Sequence, residues 1–299
     1  KNVCYNCNEL KTVSMFVYNQ KIRDYLLNEC KTFENLIILT KNDSIVPIEN
    51  EAIKKMKTIE IPLNVKSIAD LAFSKFNLLE TIIIPSSVEL IGNRCFDGCS
   101  MLKQIKIPSS VTSIGEFAFN ECTSLISVEN NSLITEIKSG TFCKCSSLEI
   151  VNIPNSVTLI GNGSFKDCIN LSNIQISSSV TIIEDFAFCN CTSLINITNT
   201  NLVKTIGNFA FSGCSKLQTI KMPSVVTIGE SSFLNCSSLN EIKIPFTVEK
   251  INKNTFKNCV KLYNFKFCKQ GISISKSAFE NVPDYLSKIN SGILEDDTN

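Results

Sequence analysis

The sequence predicts an elongated solenoid with a parallel β-sheet along one face, in which a 23-residue unit is repeated about thirteen times. Two observations lead to this prediction. A phenylalanine recurs every 23 residues from Phe73 to Phe211, and the series continues at Phe233, Phe256 and Phe279. Other residues keep fixed distances from it, usually a cysteine three residues later, a leucine six later and an isoleucine or valine nine later. Self-similarity at a fixed period of this length is typical of repeat architectures.

The elements of one unit follow from its residue pattern. The best units read F-x-x-C-x-x-L-x-x-I-x-I-P-x-x-V-x-x-I-G-x-x-A, and the unit that begins at Phe96 carries every one of these residues. The alternation in I-x-I is typical of a half-buried strand, so we expect one strand per unit, parallel to its neighbours. The proline, here Pro108, has no N–H and ends the strand pairing. The glycine, here Gly115, is expected to take a positive φ at the later turn.

The same columns predict where the core lies and where the array is imperfect. Because one unit cannot bury its own apolar residues, stacking places the Phe, Cys, Leu and Ile columns over one another as a continuous core. Two units lack the proline and the glycine of the pattern. Asn131 and Lys138 replace them in one unit, and Ser177 and Glu184 replace them in another. We expect irregular turns in both units.

The register extends into the weak N-terminal segment. Counting back by 23 residues from the strand column places Ile59, Leu36 and Val13 at equivalent positions. At the other end, Val282 and Tyr285 stand where a cysteine and a leucine belong. The sequence therefore predicts one continuous solenoid domain in three sections: degenerate repeats and a cap over residues 1–72, a regular array over 73–279, and a C-terminal cap with an acidic tail over 280–299.

The composition excludes several function classes. The 299 residues carry a net charge of +1, which gives no overall attraction to nucleic acid or to an anionic membrane. The chain has no histidine, so histidine-based acid–base catalysis and metal ligation are absent. No apolar stretch is long enough to span a bilayer, so we expect no membrane insertion of this segment. The sequence predicts no enzyme, no catalytic or metal-binding residues and no cofactor.

The repeat columns resemble the BspA-like class of leucine-rich repeats, because the Cys, Pro, Val and Ile-Gly columns occur together. The resemblance covers Met56 to about Phe279 and is weaker on either side. It implies a leucine-rich-repeat solenoid. Such proteins occur in bacteria and in parasitic protists such as Trichomonas and Entamoeba. The family implies surface display, adhesion to host or matrix proteins and protein–protein recognition, and it implies no catalysis.

An exposed sheet face is the predicted partner-binding site. The outward strand positions lie eight and ten residues after each phenylalanine. Three consecutive units carry lysine at the later position, so they should form a basic strip that Glu241 partly offsets. Such a strip would attract an acidic partner, whereas the alternative is a solvated polar face without a ligand. The candidate residues are Lys106, Glu129, Asn152, Gln175, Thr198, Lys221, Lys243 and Lys266.

The fifteen cysteines are predicted to be mainly structural. Neighbouring column members lie within disulfide range, but their side chains point the same way, so a bond would need rearrangement. Cys4 and Cys7 form a C-x-x-C, but zinc needs further ligands, and both residues fall on core columns. We expect Cys95, Cys143, Cys189 and Cys268 to face outward. The predicted buried column comprises Cys7, Cys30, Cys99, Cys122, Cys145, Cys168, Cys191, Cys214, Cys236 and Cys259.

Two functions therefore remain open on the sequence. The first is a surface or secreted module that adheres to, or recognises, a host or matrix protein through the sheet face. The second is a cytoplasmic scaffold or regulator that binds a protein partner through the same face. It rests on the many thiols, which favour a reducing compartment, and on the lack of a recognisable secretory signal at the start of the sequence.

Overall fold

The computed structural model describes residues 12–16, 35–39, 44–45, 47, 54–283 and 292–295. It is a parallel β-solenoid in which successive turns are offset by about 23 residues. The first line of strands comprises Thr12–Phe16, Asn35–Leu39, Thr58–Glu60, Thr81–Ile83, Gln104–Ile107, Ser127–Asn130, Ile150–Val151, Asn173–Gln175, Asn196–Thr198, Glu241–Ile244 and Asn264–Phe267.

A second line of short strands runs beside the first, and the sequence did not predict it. Most of these strands centre on the isoleucine that precedes the repeat glycine. They pair in parallel within three groups, which run from Ser44–Ile45 to Ser113–Ile114, from Glu136–Ile137 to Thr227–Ile228, and from Lys250–Ile251 to Gly292–Glu295. A 3₁₀ helix at Thr200–Leu202 interrupts one connection between the two lines. The second line comprises Ser44–Ile45, Ser67–Ile68, Leu90–Ile91, Ser113–Ile114, Glu136–Ile137, Leu159–Ile160, Ile182–Ile183, Thr205–Ile206, Thr227–Ile228, Lys250–Ile251, Ile272–Ser275 and Gly292–Glu295.

Strand register confirms the N-terminal extension of the repeat. Val13 pairs with Leu36, and Leu36 pairs with Ile59, as the 23-residue count predicts. The section boundaries at residues 72 and 279 stay a prediction. Cys4, Cys7 and Cys30 lie outside the described residues, as do 284–291 of the predicted cap and 296–299 of the acidic tail.

The phenylalanine column lies in the core, as predicted. Ten members from Phe73 to Phe279 are at most 1% exposed. Their rings stack on one another with centroids 5.2 to 5.5 Å apart. Leucine, isoleucine and valine columns pack around this stack in a single hydrophobic cluster along the array. Each unit thus buries its apolar residues against its two neighbours and has no separate core.

The eight cysteines from Cys99 to Cys259 in the predicted column form a buried ladder. Each thiol donates to the carbonyl oxygen of the phenylalanine in the preceding unit, at 3.1 to 3.2 Å. Burial raises the pKa of every one of these thiols, to about 12 for Cys259. All twelve described cysteines are free. Cysteine therefore fits this column because it is small and also donates a hydrogen bond to the neighbouring unit.

The expected outward direction of four further cysteines is correct only for Cys268, which is exposed. Cys95 is fully buried, because it occupies the column of small residues, half of them alanine, that precedes each phenylalanine. Cys143 and Cys189 are 9% and 8% exposed. These two cysteines and Lys166 each follow a core phenylalanine directly, so the longer Lys166 lies between the two cysteines in one column.

The prediction that the repeat glycines take a positive φ is wrong. None of Gly92, Gly115, Gly161, Gly207 and Gly229 is in that region. A Cβ atom on Gly115 would instead lie 2.3 Å from the backbone nitrogen of Asn93 in the preceding unit. At Gly115, glycine avoids this close contact between two backbones, whereas Lys138 and Glu184 occupy the same column in two other units. Left-handed conformations lie two residues before and two after nine of the ten core phenylalanines, for example at Arg94 and Gly98 around Phe96.

Only one of the two turns that were expected to be irregular departs from the pattern. At Ser177, the Val180 N–H donates to the Ser177 carbonyl at 3.1 Å. In other units, the equivalent valine N–H donates in the same way to the carbonyl of the proline. The Ser177 hydroxyl also accepts from the Ser179 N–H at 3.1 Å, so a serine turn replaces the proline. In the other unit, the Asn131 N–H donates back to Ile107 of the preceding unit at 3.1 Å.

Candidate functional site

The first line of strands presents an exposed, regularly spaced row of side chains, which we call the sheet face. Residues alternate along each strand, so that in Gln104–Ile107 the isoleucines are buried while Gln104 and Lys106 are exposed. Parallel pairing then aligns equivalent positions of successive units, as Lys106 with Glu129 and Gln175 with Thr198. All eight candidate residues are exposed and follow one another along this face: Lys106, Glu129, Asn152, Gln175, Thr198, Lys221, Lys243 and Lys266.

The first two candidates form an ion pair with each other. Lys106 Nζ lies 2.8 Å from Glu129 Oε1. The Asn131 side-chain amide donates to the same carboxylate oxygen at 2.9 Å. The hydrogen bond from Lys106 lowers the pKa of the Glu129 carboxyl, and the bond from Asn131 adds to this effect. This end of the sheet face is therefore compensated in charge.

The other end is basic, as the sequence predicts. Lys243 pairs with Lys266 in the strand register, and the bridge from Thr219 to Glu241 places Lys221 beside Lys243. We call Lys221, Lys243 and Lys266 the basic strip. Within the described residues, none of the three makes an ion pair. Glu241 shares the strand and the face with Lys243 and supplies one negative charge.

Five other lysines along the array do pair with a glutamate of the neighbouring unit, so that their charges are compensated. Like charges directly opposite each other on a sheet are destabilising. The basic strip therefore has a small energetic cost that pairing removes elsewhere. The pairs between neighbouring units are Lys57–Glu80, Lys66–Glu89, Lys106–Glu129, Glu121–Lys144 and Lys257–Glu280.

A groove of about 480 Å³ adjoins the basic strip, and the repeat pattern does not predict it. We call it the Phe246 groove, after the residue that is most unusual for its position. Its apolar lining includes Ile220, Met222, Ile242, Pro223, Pro245 and Phe246, and its polar lining includes Asn201, Thr219, Lys221, Glu241, Lys243 and Cys268.

The groove arises where the repeat is irregular. The unit from Phe211 to Phe233 is one residue shorter than the others, and the missing residue falls in the turn after Pro223. Consequently the Val225 N–H donates to the Met222 carbonyl, whereas the equivalent valine N–H in other turns of this type donates to the carbonyl of the proline. In the preceding unit, the Thr200 hydroxyl donates to the Lys221 carbonyl and fixes the backbone of the basic strip.

Phe246 carries a sequence signal that could have revealed the groove. It follows Pro245 directly, and the residue at this position is serine in five other units, as at Ser86, Ser109 and Ser224. Phe246 is 67% exposed. A large apolar side chain at an exposed position where the repeat uses serine is not required by the packing of the array. Comparing each exposed column with its own consensus therefore locates surface residues that the fold does not explain.

Other chemistries find little support in the described part of the chain. Over those residues, no group of three or more His, Cys, Asp or Glu side chains could hold a metal ion. No helix there is long and apolar enough to cross a membrane. The sheet face and the Phe246 groove present charged, amide and apolar groups.

Comparisons with known proteins agree with the repeat architecture. A family model described as BspA type leucine rich repeat region matches residues 1–99, 47–172 and 158–285. The search among curated proteins found no match. A leucine-rich repeat protein from Bacteroides ovatus has a TM-score of 0.50 and 24% identity over 88% of this chain and 91% of that chain, which shows the fold.

Two further solved structures are similar over different lengths. The leucine-rich repeat protein of T. pallidum is 32% identical, with a TM-score of 0.52, over 55% of this chain and 78% of that chain. A leucine rich cell surface protein from Faecalibacterium prausnitzii is 24% identical, with a TM-score of 0.42, over 90% of this chain and 89% of that chain. The likeness to the T. pallidum protein concerns the repeat solenoid.

Proposed function

The chain belongs to the BspA type leucine-rich-repeat family, and from this premise we propose that it is a protein-binding module of the cell surface. Its role is adhesion to, or recognition of, a host or matrix protein. The partner binds the sheet face from Lys106 to Lys266, and the basic strip contributes most of the electrostatic attraction. The leucine-rich-repeat fold is typical of non-enzymatic scaffolds, which supports binding over catalysis.

One observation carries this proposal. The basic strip places three exposed lysines side by side in consecutive units of one sheet face, without an ion pair among the described residues. A partner with acidic groups at matching spacing would compensate these charges. Complementary charge accelerates association and makes binding weaker at high salt.

The test compares two variants with the same change in net charge. Lys221→Glu, Lys243→Glu and Lys266→Glu together reverse the strip, while the control combines Lys75→Glu, Lys204→Glu and Lys216→Glu away from the sheet face. Each protein is immobilised, exposed to a host-cell surface extract, and then titrated with the purified captured protein at low and high salt. We expect the strip variant to abolish or reverse the salt dependence and the control to retain it. Unchanged binding by the strip variant rejects the proposal.

The second candidate is an intracellular scaffold that uses the same face. The observation in its favour is that all twelve described cysteines are free thiols, as is usual in a reducing compartment. Antibody labelling of intact and permeabilised cells separates the two proposals. Labelling of intact cells supports surface display, and labelling only after permeabilisation supports the scaffold.

A further inference from the structure

We propose that the Phe246 groove binds an acidic segment of the partner protein that inserts one apolar side chain beside Phe246. The inference rests on the proposed function, because it identifies the chemistry of the segment that the basic strip attracts. The inference adds two features that the proposed function does not require: a specific pocket, which is the Phe246 groove, and an apolar side chain of the partner that occupies it.

The lining of the groove determines the apolar part of the ligand. Phe246, Pro223 and Pro245 surround the space, and Ile220, Met222 and Ile242 lie beneath it with at most 4% exposure. An exposed aromatic ring above an apolar floor is typical of a surface that another molecule covers. Aromatic residues in such pockets commonly dominate binding energies.

The rim of the groove determines the charge of the ligand. Lys221 and Lys243 line it, Lys266 follows in the next unit, and Glu241 is the one acidic residue of the lining. The three lysines exceed the single glutamate by two positive charges. A ligand that carries only apolar groups would leave these charges uncompensated, and one that carries only acids would leave Phe246 exposed. A short acidic segment with a single apolar residue satisfies both requirements.

The position of Phe246 in the repeat separates binding from folding. Serine occupies the same position in five other units, so Phe246→Ser restores the residue that this turn ordinarily contains. Leu63 occupies the equivalent position near the start of the array and is 82% exposed. Leu63→Ser is therefore a matched control, because it removes an exposed apolar side chain from the same kind of turn far from the groove.

The probe is a fluorescein-labelled synthetic peptide of aspartates and glycines with one central phenylalanine. Two control peptides replace the phenylalanine by alanine or the aspartates by asparagine. Fluorescence anisotropy with the full chain should show the tightest binding for the first peptide, with an affinity that falls as salt rises. Phe246→Ser should weaken that binding at least tenfold, and Leu63→Ser should leave it unchanged, with circular dichroism verifying that both variants fold.

Cys268 gives a local measurement at the same site. It lines the groove and is exposed, whereas the other described cysteines are buried. Bound peptide should slow alkylation of Cys268 by iodoacetamide at least severalfold, measured by mass spectrometry of the modified residue, and should have no such effect in Phe246→Ser. Equal alkylation of Cys268 with and without saturating peptide rejects the groove as the binding site.

The outcomes distinguish this inference from the proposed function. If the three peptides bind equally, or if Phe246→Ser binds like the unmodified chain, the groove inference is wrong. If the groove inference fails in this way but peptide binding is lost when the three lysines of the basic strip become glutamate, the basic strip retains its role without the groove. Should the acidic peptides bind that variant equally well, both the groove and the electrostatic basis of the proposed function are rejected.

Discussion

Replacing the repeat glycine Gly115 by alanine tests why glycine occupies its column. The added Cβ would lie 2.3 Å from Asn93 N and 2.4 Å from the carbonyl carbon of Gly92. Carbon atoms make favourable contact at about 3.5 Å, so the two units must separate by about 1 Å. That displacement weakens the hydrogen bond from Gly115 N–H to the Ile91 carbonyl, now 2.8 Å long.

The expected magnitude follows from three contributions. Overpacking against backbone costs about 1–3 kcal/mol. The weakened hydrogen bond adds about 1 kcal/mol. Alanine restricts the unfolded chain and returns roughly 0.4–1 kcal/mol. We therefore expect Gly115→Ala to lower the free energy of unfolding by about 1–3.5 kcal/mol, measured by urea denaturation followed by circular dichroism.

Gly163→Ala is the matched control. Gly163 has a φ of +56°, but only Lys166 Cβ lies within 4 Å of an added Cβ, at 3.8 Å. Arg94 and Phe117 occupy the same column with φ of 50° and 55°, so side chains are tolerated there. The left-handed conformation costs alanine about 1–2 kcal/mol, which the restricted unfolded chain partly offsets. A Gly115→Ala variant that is as stable as the unmodified chain, or less destabilised than Gly163→Ala, would refute the close-approach explanation.

Two further predictions concern the core. Phe165→Ala should lower the free energy of unfolding by about 3–5 kcal/mol in the same assay. The reason is that the Phe165 ring stacks on Phe142 and Phe188, with centroids 5.4 and 5.3 Å apart. Equal stability of Phe165→Ala and Phe246→Ala would contradict this. Burial raises the pKa of the Cys259 thiol to about 12, so the native ladder stays protonated while unfolded thiols ionise above about pH 8.5. The thiol contribution to stability is therefore present below that pH and lost as the pH rises toward 12, by roughly 1.4 kcal/mol per thiol and pH unit. Comparing unfolding at pH 7.5 and about pH 9.5 measures the loss, and a free energy of unfolding that stays constant would exclude it.

The site could be predicted from the sequence only where it follows the repeat. The sheet face was predictable, because residues ten positions after each phenylalanine face outward wherever the strand alternates, as at Lys106 and Lys243. The ion pair between Lys106 and Glu129 depends on side-chain rotamers, which the period does not give. The Phe246 groove depends on a one-residue deletion in a neighbouring unit, so its shape is a tertiary property.

The sequence by itself determined the solenoid, its period, the parallel pairing and the buried columns, because a strict repeat leaves stacking of like on like as the way to bury apolar residues. Tertiary structure decided the features that depend on how closely two units approach. Gly115 is glycine because the Asn93 backbone lies against it, and Cys95 is buried because its column faces the core. The thiols of the cysteine ladder donate to phenylalanine carbonyls of the preceding unit. Distances between chain segments remote in sequence set these contacts, and residue pattern alone carries no such distances.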